Sequence, residues 1–573
     1  MEGIHMVPIT KRAQRMRYHL VPVLTALTLT GCLGGGGGGG GSNPVTAGEP
    51  RADTAQGQVQ GVQQETLISF KGIPYAAAPL GELRFSAPQP PPERDALLVA
   101  DQYATPCLQA PNLFETAPSS EDCLYLNVYT PDLDGEYPVM VWIHGGSLEN
   151  GSGGPTYDPQ RLVERGITAV TINYRLGVPG FLAHPALSDE SPENESGNYG
   201  IMDQQAALAW LRANIGQFGG DPANITLFGE SAGGHSVLTH LVSPGSSELF
   251  DKAIVQSGSY APNQRTLAEA LARGEILAEH AGCTGDNEVA ACLRALSADQ
   301  LIALQQWMST SDTPLNTGFM PTRHLPVTGT SLLPASIAEA LQAGSFNRKP
   351  VLIGGNLDEW RFFVGLYLAS GGSVPEPAYE TFIQITLGVD PATAAQLALA
   401  YPAASYDSAA QALSALGTDA IFACNTLAQV RHLAADVDTY FYEFADRNAP
   451  LTVAPVPGFD FGAAHALEIG YLLASEDLMA QFGATDAQIE LAEHMADYWT
   501  SFATYGDPNP TSGTSPMWNA FVAGSSETML NLVPPEPGSV PAAQFDTFHQ
   551  CDAIWLAAPV NGITTSGVQN QSQ

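Results

Sequence analysis

Residues 225–234 read ITLFGESAGG. A short apolar run, 225–228, passes directly into Gly229-Glu230-Ser231-Ala232-Gly233-Gly234. An apolar run that stops at glycines is the pattern of a buried strand. Gly-x-Ser-x-Gly between a strand and a helix makes a sharp turn that lifts the serine hydroxyl above the sheet edge. Gly229 and Gly233 are small because that turn brings strand and helix close. Ala232 then offers a backbone N–H at a helix N-terminus, where developing negative charge is stabilised. The five residues alone are a weak signal, because Gly, Ser and Ala are common. Their place between a strand and a helix gives them weight.

The flanking sequence supplies that context. Residues 198–218 read as a helix, with Met202, Ala206, Leu208, Ala209, Leu211 and Ile215 on one apolar face. Upstream, 138–144 (PVMVWIH) and 166–174 (GITAVTINY) are apolar runs of strand length. Downstream, 253–256, 350–353 and 439–444 (TYFYEF) are three more. Buried strands separated by helices predict an α/β fold with a mostly parallel sheet covered on both faces. No repeat and no linker interrupts residues 54–558, which read as one large domain.

A serine nucleophile needs backbone donors for an oxyanion, a base and an orienting acid. His144-Gly145-Gly146-Ser147 follows the 138–144 strand, where a second donor belongs, and its glycines let backbone N–H groups face a ligand. In this kind of fold the acid and then the base follow the serine in chain order. Four histidines lie late: His432, His465, His494 and His549. His432 and His494 sit among strong helix formers, and His549 lies two residues before Cys551. His465 alone lies in a glycine-bearing loop, GFDFGAAHALEIG, after a buried strand. For the acid, Asp358 and Glu359 both follow the strand PVLIGGN, and the residues themselves do not choose between them.

Composition bounds the rest. The 573-residue chain has 22 Lys+Arg against 58 Asp+Glu, a net charge of −36, so a nucleic-acid partner would be repelled over most of the surface. A basic membrane-surface protein is excluded for the same reason. Hydrophobic residues make up 44%, enough for a large core. Residues 1–31 read as an export signal: Lys11, Arg12, Arg15 and Arg17 precede an apolar stretch at 21–29 that is short for a membrane span. It ends in Leu29-Thr30-Gly31-Cys32, which resembles the lipobox of bacterial lipoproteins. The glycine run at 34–41 then reads as a flexible tether, so 32–53 is expected to be a lipidated Cys32 plus tether. Leu33, rather than Asp, follows the cysteine. The expected location is therefore the outer membrane or cell surface of a bacterium, or, without lipidation, secretion. Residues 559–573 read as a polar tail.

Six further cysteines in an exported chain suggest disulfides. Proximity in sequence favours Cys107–Cys123 and Cys283–Cys292, leaving Cys424–Cys551. No CxxC or His/Cys cluster argues for a metal.

Seven stretches together resemble the type-B carboxylesterases, the cholinesterase-like branch of the α/β-hydrolase fold. They are FKGIPYAAAPLGELRF (70–85), EDCLYLNVYTP (121–131), WIHGGS (142–147), NYRLGVPGFL (173–182), 197–234, QSG (256–258) and YWTSFATYGDPNP (498–510). The resemblance covers nearly the whole of 54–558. It implies a central, mostly parallel sheet flanked by helices, with large insertions around the active-site gorge. It implies Ser231 as nucleophile, His465 as base and Glu359 as acid, since the family's Asp-Glu-Gly matches Asp358-Glu359. It implies oxyanion donors at Gly146, Ser147 and Ala232, and the same three cysteine pairs. The implied activity is hydrolysis of small-molecule carboxylic esters through an acyl-enzyme, with no cofactor and no metal. The competing class is a catalytically idle, neuroligin-like binding module; within hydrolases, a lipase or polymer-ester hydrolase is the alternative. Neither the substrate nor the oligomeric state is legible.

This chain departs from the family at four places. Ser147-Leu148 replaces Gly-Phe, which is expected to change the loop's backbone and to widen the pocket or alter its acyl side. Trp360 stands where Gly is usual and is expected to repack the space behind Glu359. The 321–329 stretch differs from the family's pocket wall. The loop 108–122 has no Trp and only Phe114 as an aromatic, which argues against choline as a ligand.

Overall fold

The computed structural model describes residues 49–112, 118–285, 288–310, 324–511 and 515–556. The signal assignment, the tether as far as residue 48 with Cys32, Phe114, residues 321–323 and the 559–573 tail lie outside the described residues.

The described strands are β1 (Arg51–Thr54), β2 (Gly57–Gln60), β3 (Val62–Gln63), β4 (Ile68–Pro74), β5 (Leu98–Val99), β6 (Tyr125–Thr130), β7 (Tyr137–Ile143), β8 (Thr168–Ile172), β9 (Gly220–Glu230), β10 (Lys252–Gln256), β11 (Val351–Asn356), β12 (Thr439–Phe444), β13 (Thr528–Leu532) and β14 (Gly538–Pro541). Eleven of them form one sheet in the order β14-β13-β12-β11-β10-β9-β7-β8-β6-β4-β3. From β8 through β13 every neighbouring pair is parallel. The antiparallel pairs lie towards the two edges. The central strands are buried on both faces, which is why VMVWI, TAVTI and AIVQ read as continuous rather than alternating apolar runs. Trp142 on β7 meets Phe228 on β9 edge-on, with ring centroids 4.8 Å apart.

The predicted helix over 198–218 appears as Tyr199–Asn214 followed by a 3₁₀ turn, Ile215–Phe218. The longest of the described helices, Asp486–Tyr505, begins at a capping box made by Thr485 and Gln488 and stops at Gly506 in the left-handed region. Among the described residues, no helix is long and apolar enough to cross a membrane.

One sequence boundary moves. Residues 51–53, assigned from sequence to the tether, belong to β1, which pairs with β2, and Ala52 and Thr54 are buried. RADT carries too little apolar alternation to announce a strand, and only pairing with β2 reveals it.

Three disulfides are present, Cys107–Cys123, Cys283–Cys292 and Cys424–Cys551, closing sequence separations of 16, 9 and 127 residues. The last ties the helical segment starting at Cys424 to the C-terminal turn Cys551–Trp555.

The parallel core positions chemistry at one edge. β7, β9 and β11 all lead directly into the loops that carry the candidate residues. The register pairs Ile143 with Gly229 and Gln256 with Glu230, so loop 144–149 and the turn at Ser231 leave the sheet side by side. Ligands in open α/β sheets bind in the crevice beyond such carboxyl ends.

Candidate active site

Ser231 sits at the turn between β9 and the helix Ala232–Val242, with φ 55° and ψ −119°. That backbone is unfavourable for a residue with a Cβ, and the surroundings over-determine it. Its N–H donates to the Gln256 carbonyl at 2.9 Å, and its own carbonyl accepts from His235 N–H at 2.8 Å. The flanking glycines permit the turn: a Cβ on Gly229 would lie 2.6 Å from the Gly233 carbonyl carbon, and one on Gly233 would collide with the Ile143 carbonyl.

Loop 144–149 packs against that turn. A Cβ on Gly145 would come within 2.9 Å of the Glu230 carbonyl and 3.1 Å of Ser231 Cβ. Gly146, Ser147 and Leu148 have φ of 105°, 60° and 58° in succession. The Gly146 carbonyl accepts from Glu149 and Asn150 N–H at 3.0 and 2.9 Å, which closes the loop into a tight turn. Ser147 thus keeps a glycine-like backbone. Leu148 is fully buried in the core, and its carbonyl accepts from Gly177 N–H at 2.7 Å. Leu148 therefore has a packing role in the core. His144 stacks on Tyr174, and its Nδ1–H donates to the Gly145 carbonyl at 2.8 Å. Burial lowers its pKa to about 4, so it is a neutral prop for the loop.

His465 and Glu359 meet: Nδ1 to Oε2 is 2.6 Å. The other carboxylate oxygen, Oε1, accepts from Asn356 N–H at 2.8 Å, so both oxygens are fixed. Asp358 faces the opposite way. Its carboxylate takes a two-pronged contact from Arg447 at 2.8 and 3.0 Å, a further contact from Arg361 at 3.1 Å, and the Ala463 N–H at 3.1 Å. Asp358 therefore anchors the loop that carries His465. Trp360 is fully buried, its ring against Phe363, and its backbone N–H donates to Thr418 Oγ1 at 3.0 Å. A Cβ on Gly417 would strike its ring, so the large residue at 360 is matched by a small one at 417. Phe363 and Phe422 pack beside the His465 ring at 5.2 and 5.1 Å.

The structure also brings in two carboxyls that the motif reading did not single out. Glu230, the variable residue of Gly-x-Ser-x-Gly, places Oε1 3.1 Å from His465 Nε2. Nε2 makes no well-angled hydrogen bond, to Glu230 or to Ser231; such contacts commonly tighten only when substrate is bound. Glu468, three residues beyond His465, is held by Asn356 Nδ2 at 2.7 Å and Gln256 Nε2 at 3.3 Å. Glu230, Glu359 and Glu468 are all buried, and so is the imidazole. Burial pushes Glu230 well above the ordinary carboxyl range, and the neighbouring Glu468 and Glu359 add to it. Burial, then Glu359, lifts Glu468 to about 7. Burial alone would lower His465, but Glu230, Glu359 and Glu468 outweigh it and raise it to about 9. The only local signal for Glu230 was an acid closing an otherwise apolar strand.

The other late histidines lie elsewhere. His432 is exposed, and His494 bonds Ser515 Oγ at 2.8 Å. His549 is pinned between Asp419 and Glu443 at 2.6 and 2.7 Å. Among the described residues, no group of three His, Cys, Asp or Glu side chains is placed to hold a metal ion.

A model of the carboxylesterase family matches residues 48–547. The chain belongs to the carboxylesterase family. It is 36% identical over 486 residues to the fumonisin B1 esterase of Sphingopyxis macrogoltabida, covering 82% of this chain and 84% of that protein. It is 34% identical to the cholinesterase of Mus musculus, over 82% and 81% of the two chains. It is 32% identical to the para-nitrobenzyl esterase of Bacillus subtilis, over 83% and 94%. The sheet and its helices are the α/β-hydrolase fold of that family, and the protein is a carboxylic-ester hydrolase.

Proposed function

We propose that this carboxylesterase works through Ser231, His465 and Glu359 by a two-step acyl transfer. The observation that carries the reading is the 2.6 Å contact between His465 and Glu359, with the opposite ring nitrogen facing the turn that holds Ser231. His465 Nε2 takes the Ser231 proton as Oγ bonds to the ester carbonyl carbon. The N–H groups of Gly146, Ser147 and Ala232 receive the oxyanion. The tetrahedral species expels the alcohol, which takes the proton from Nε2. Water then gives its proton to Nε2 as it attacks the acyl group, and Ser231 regains that proton as the acid leaves. Glu359 holds the ring in the tautomer with Nδ1 protonated and stabilises the imidazolium. The substrates are carboxylic esters small enough to enter the crevice.

The test is Ser231→Ala combined with labelling by an organophosphonate. The variant is expected to lose esterase activity while staying folded, and the label is expected on Ser231. A label elsewhere, or full activity in the variant, would overturn the assignment. From its sequence, the same protein is proposed to be exported and held at a bacterial membrane by a lipid on Cys32.

A further inference from the structure

The N–H groups of Gly146 and Ser147 lie in the loop that follows β7. A trans peptide points its N–H away from its own carbonyl. The direction of the Gly146 N–H is therefore set by what holds the Gly145 carbonyl on the opposite side. His144 Nδ1–H donates to that carbonyl at 2.8 Å. Gly151 closes against it: its φ is 106°, and a Cβ there would lie 2.7 Å from the Gly145 carbonyl oxygen and collide with His144 Nδ1. The Ser147 N–H is aimed in the same way, because the Gly146 carbonyl is taken by Glu149 and Asn150 N–H.

One side chain pairs with both polar groups of Gly151. Gln109 Oε1 accepts from Gly151 N–H at 2.9 Å, and Gln109 Nε2 donates to the Gly151 carbonyl at 2.8 Å. The second hydrogen of Nε2 goes to the Cys107 carbonyl at 3.1 Å, and the second lone pair of Oε1 accepts from Asn112 Nδ2 at 3.1 Å. Asn112 Nδ2 also lies 3.1 Å from Asn150 Oδ1. Gln109 is buried, and its backbone is fixed as well. Its N–H donates to Ser119 Oγ at 3.1 Å, and the Ser119 hydroxyl donates to its carbonyl at 2.8 Å. Both residues lie within the loop closed by Cys107–Cys123. A rigid, disulfide-closed loop thus reaches the end of the loop that carries Gly146 and Ser147.

We propose that Gln109 is a positioning residue for ester hydrolysis: through Gly151 it fixes the Gly145 carbonyl and so aims the Gly146 N–H at the oxyanion. The inference rests on Ser231 being the nucleophile and on Gly146 and Ser147 being oxyanion donors. Its consequence is kinetic. A misaimed donor weakens the tetrahedral species far more than the bound ester, because the charge it serves develops only in the transition state.

Gln109→Met keeps length and volume and loses every polar contact of the carboxamide. Wild type and variant are first titrated with an organophosphonate, so that rates are expressed per reactive Ser231. Hydrolysis of p-nitrophenyl butyrate then gives kcat and KM. Hexyl trifluoromethyl ketone gives an inhibition constant for a tetrahedral adduct. In that adduct Ser231 Oγ bonds to the ketone carbon, the serine proton passes to His465, and the former carbonyl oxygen is the oxyanion. Removing an oxyanion donor outright costs on the order of 10²–10³ in kcat, so a donor kept but misaimed is expected to cost about tenfold to a hundredfold. The inhibition constant of the ketone should rise by a similar factor, with KM changed by less than about threefold. A merely structural role would lower the melting temperature and the number of titratable sites. It would leave kcat per site and the inhibition constant as in wild type, and that result would overturn the proposal. Should Gln109→Met fail to fold, Asn112→Ala decides, since Asn112 is half-buried and its side chain touches both Gln109 and Asn150. Both readings are then expected to move in the same directions by about threefold, the scale of one neutral hydrogen bond. Unmoved readings would overturn the proposal. A wild-type protein not labelled at Ser231 would sink the catalytic reading and the positioning role with it, whereas labelled wild type with an unaffected Gln109→Met would sink the positioning role alone.

Discussion

Glu359 turns its carboxylate to Asn356 and His465, while Asp358, one residue earlier, turns to Arg447, Arg361 and Ala463. The two substitutions should therefore separate. Glu359→Gln is expected to lower kcat by a factor on the order of 10⁴, the effect of neutralising a triad acid. Asp358→Asn should lower the melting temperature, because it weakens the anchor of the His465 loop, and should reduce kcat far less. Steady-state kinetics with thermal melts on both variants decide it; the reverse pattern would mean that Asp358 is the acid. Glu230 supplies a second residue-level prediction. In its ionised form Glu230 helps to raise His465 to about 9, and a base must be deprotonated to act, so activity should climb as pH rises from 7 through 9. Glu230→Gln removes that contribution, so the acid limb of kcat/KM should move to lower pH. An unmoved limb would show that Glu230 does not act on the ring.

At the scale of elements, the turn at Ser231 depends on two close approaches. Gly233→Ala would drive a methyl group into the Ile143 carbonyl, so either the strand–helix contact opens or the Ser231 backbone relaxes. The C-terminal turn Cys551–Trp555 depends on packing and on one covalent tie. His549 bridges Asp419 and Glu443, Tyr401 donates to Asp419, and Trp555 donates to Tyr401 at 2.8 Å. Cys424–Cys551 closes a 127-residue separation across the same contact. Replacing both cysteines by Ser should cost about 2–5 kcal/mol. Hydrogen exchange should rise first over the 542–556 and 418–423 segments. Equal exchange in the two proteins would mean that the polar cluster alone holds the segment.

At the scale of the molecule, a net charge of −36 keeps the protein from polyanions and from an anionic lipid surface. A lipid on Cys32 would overcome that repulsion, and a glycine chain spans about 5–6 Å times the square root of its length, holding the enzyme near the membrane without fixing its orientation. Fractionation should place the wild-type protein with membranes and Cys32→Ser in the soluble fraction. Wild-type protein found soluble with an unlipidated N-terminus would mean simple secretion.

The sequence by itself determined the α/β class, the strand that runs into Ser231 and the loop after β7, because each is a local pattern: apolar runs of strand length ended by glycine. Resemblance spread over the chain then named Glu359 where neighbouring residues left Asp358 open. Only the tertiary structure decided what surrounds those residues. Glu230, Glu359 and Glu468 come from three separate stretches and crowd one imidazole; no periodicity records that, since each contact joins residues set by sheet register rather than by spacing. Ser147 and Leu148 hold left-handed backbone only because loop 144–149 closes on itself against the Ser231 turn. Burial sets the charge state and partner of each such group, and burial is a property of the assembled fold.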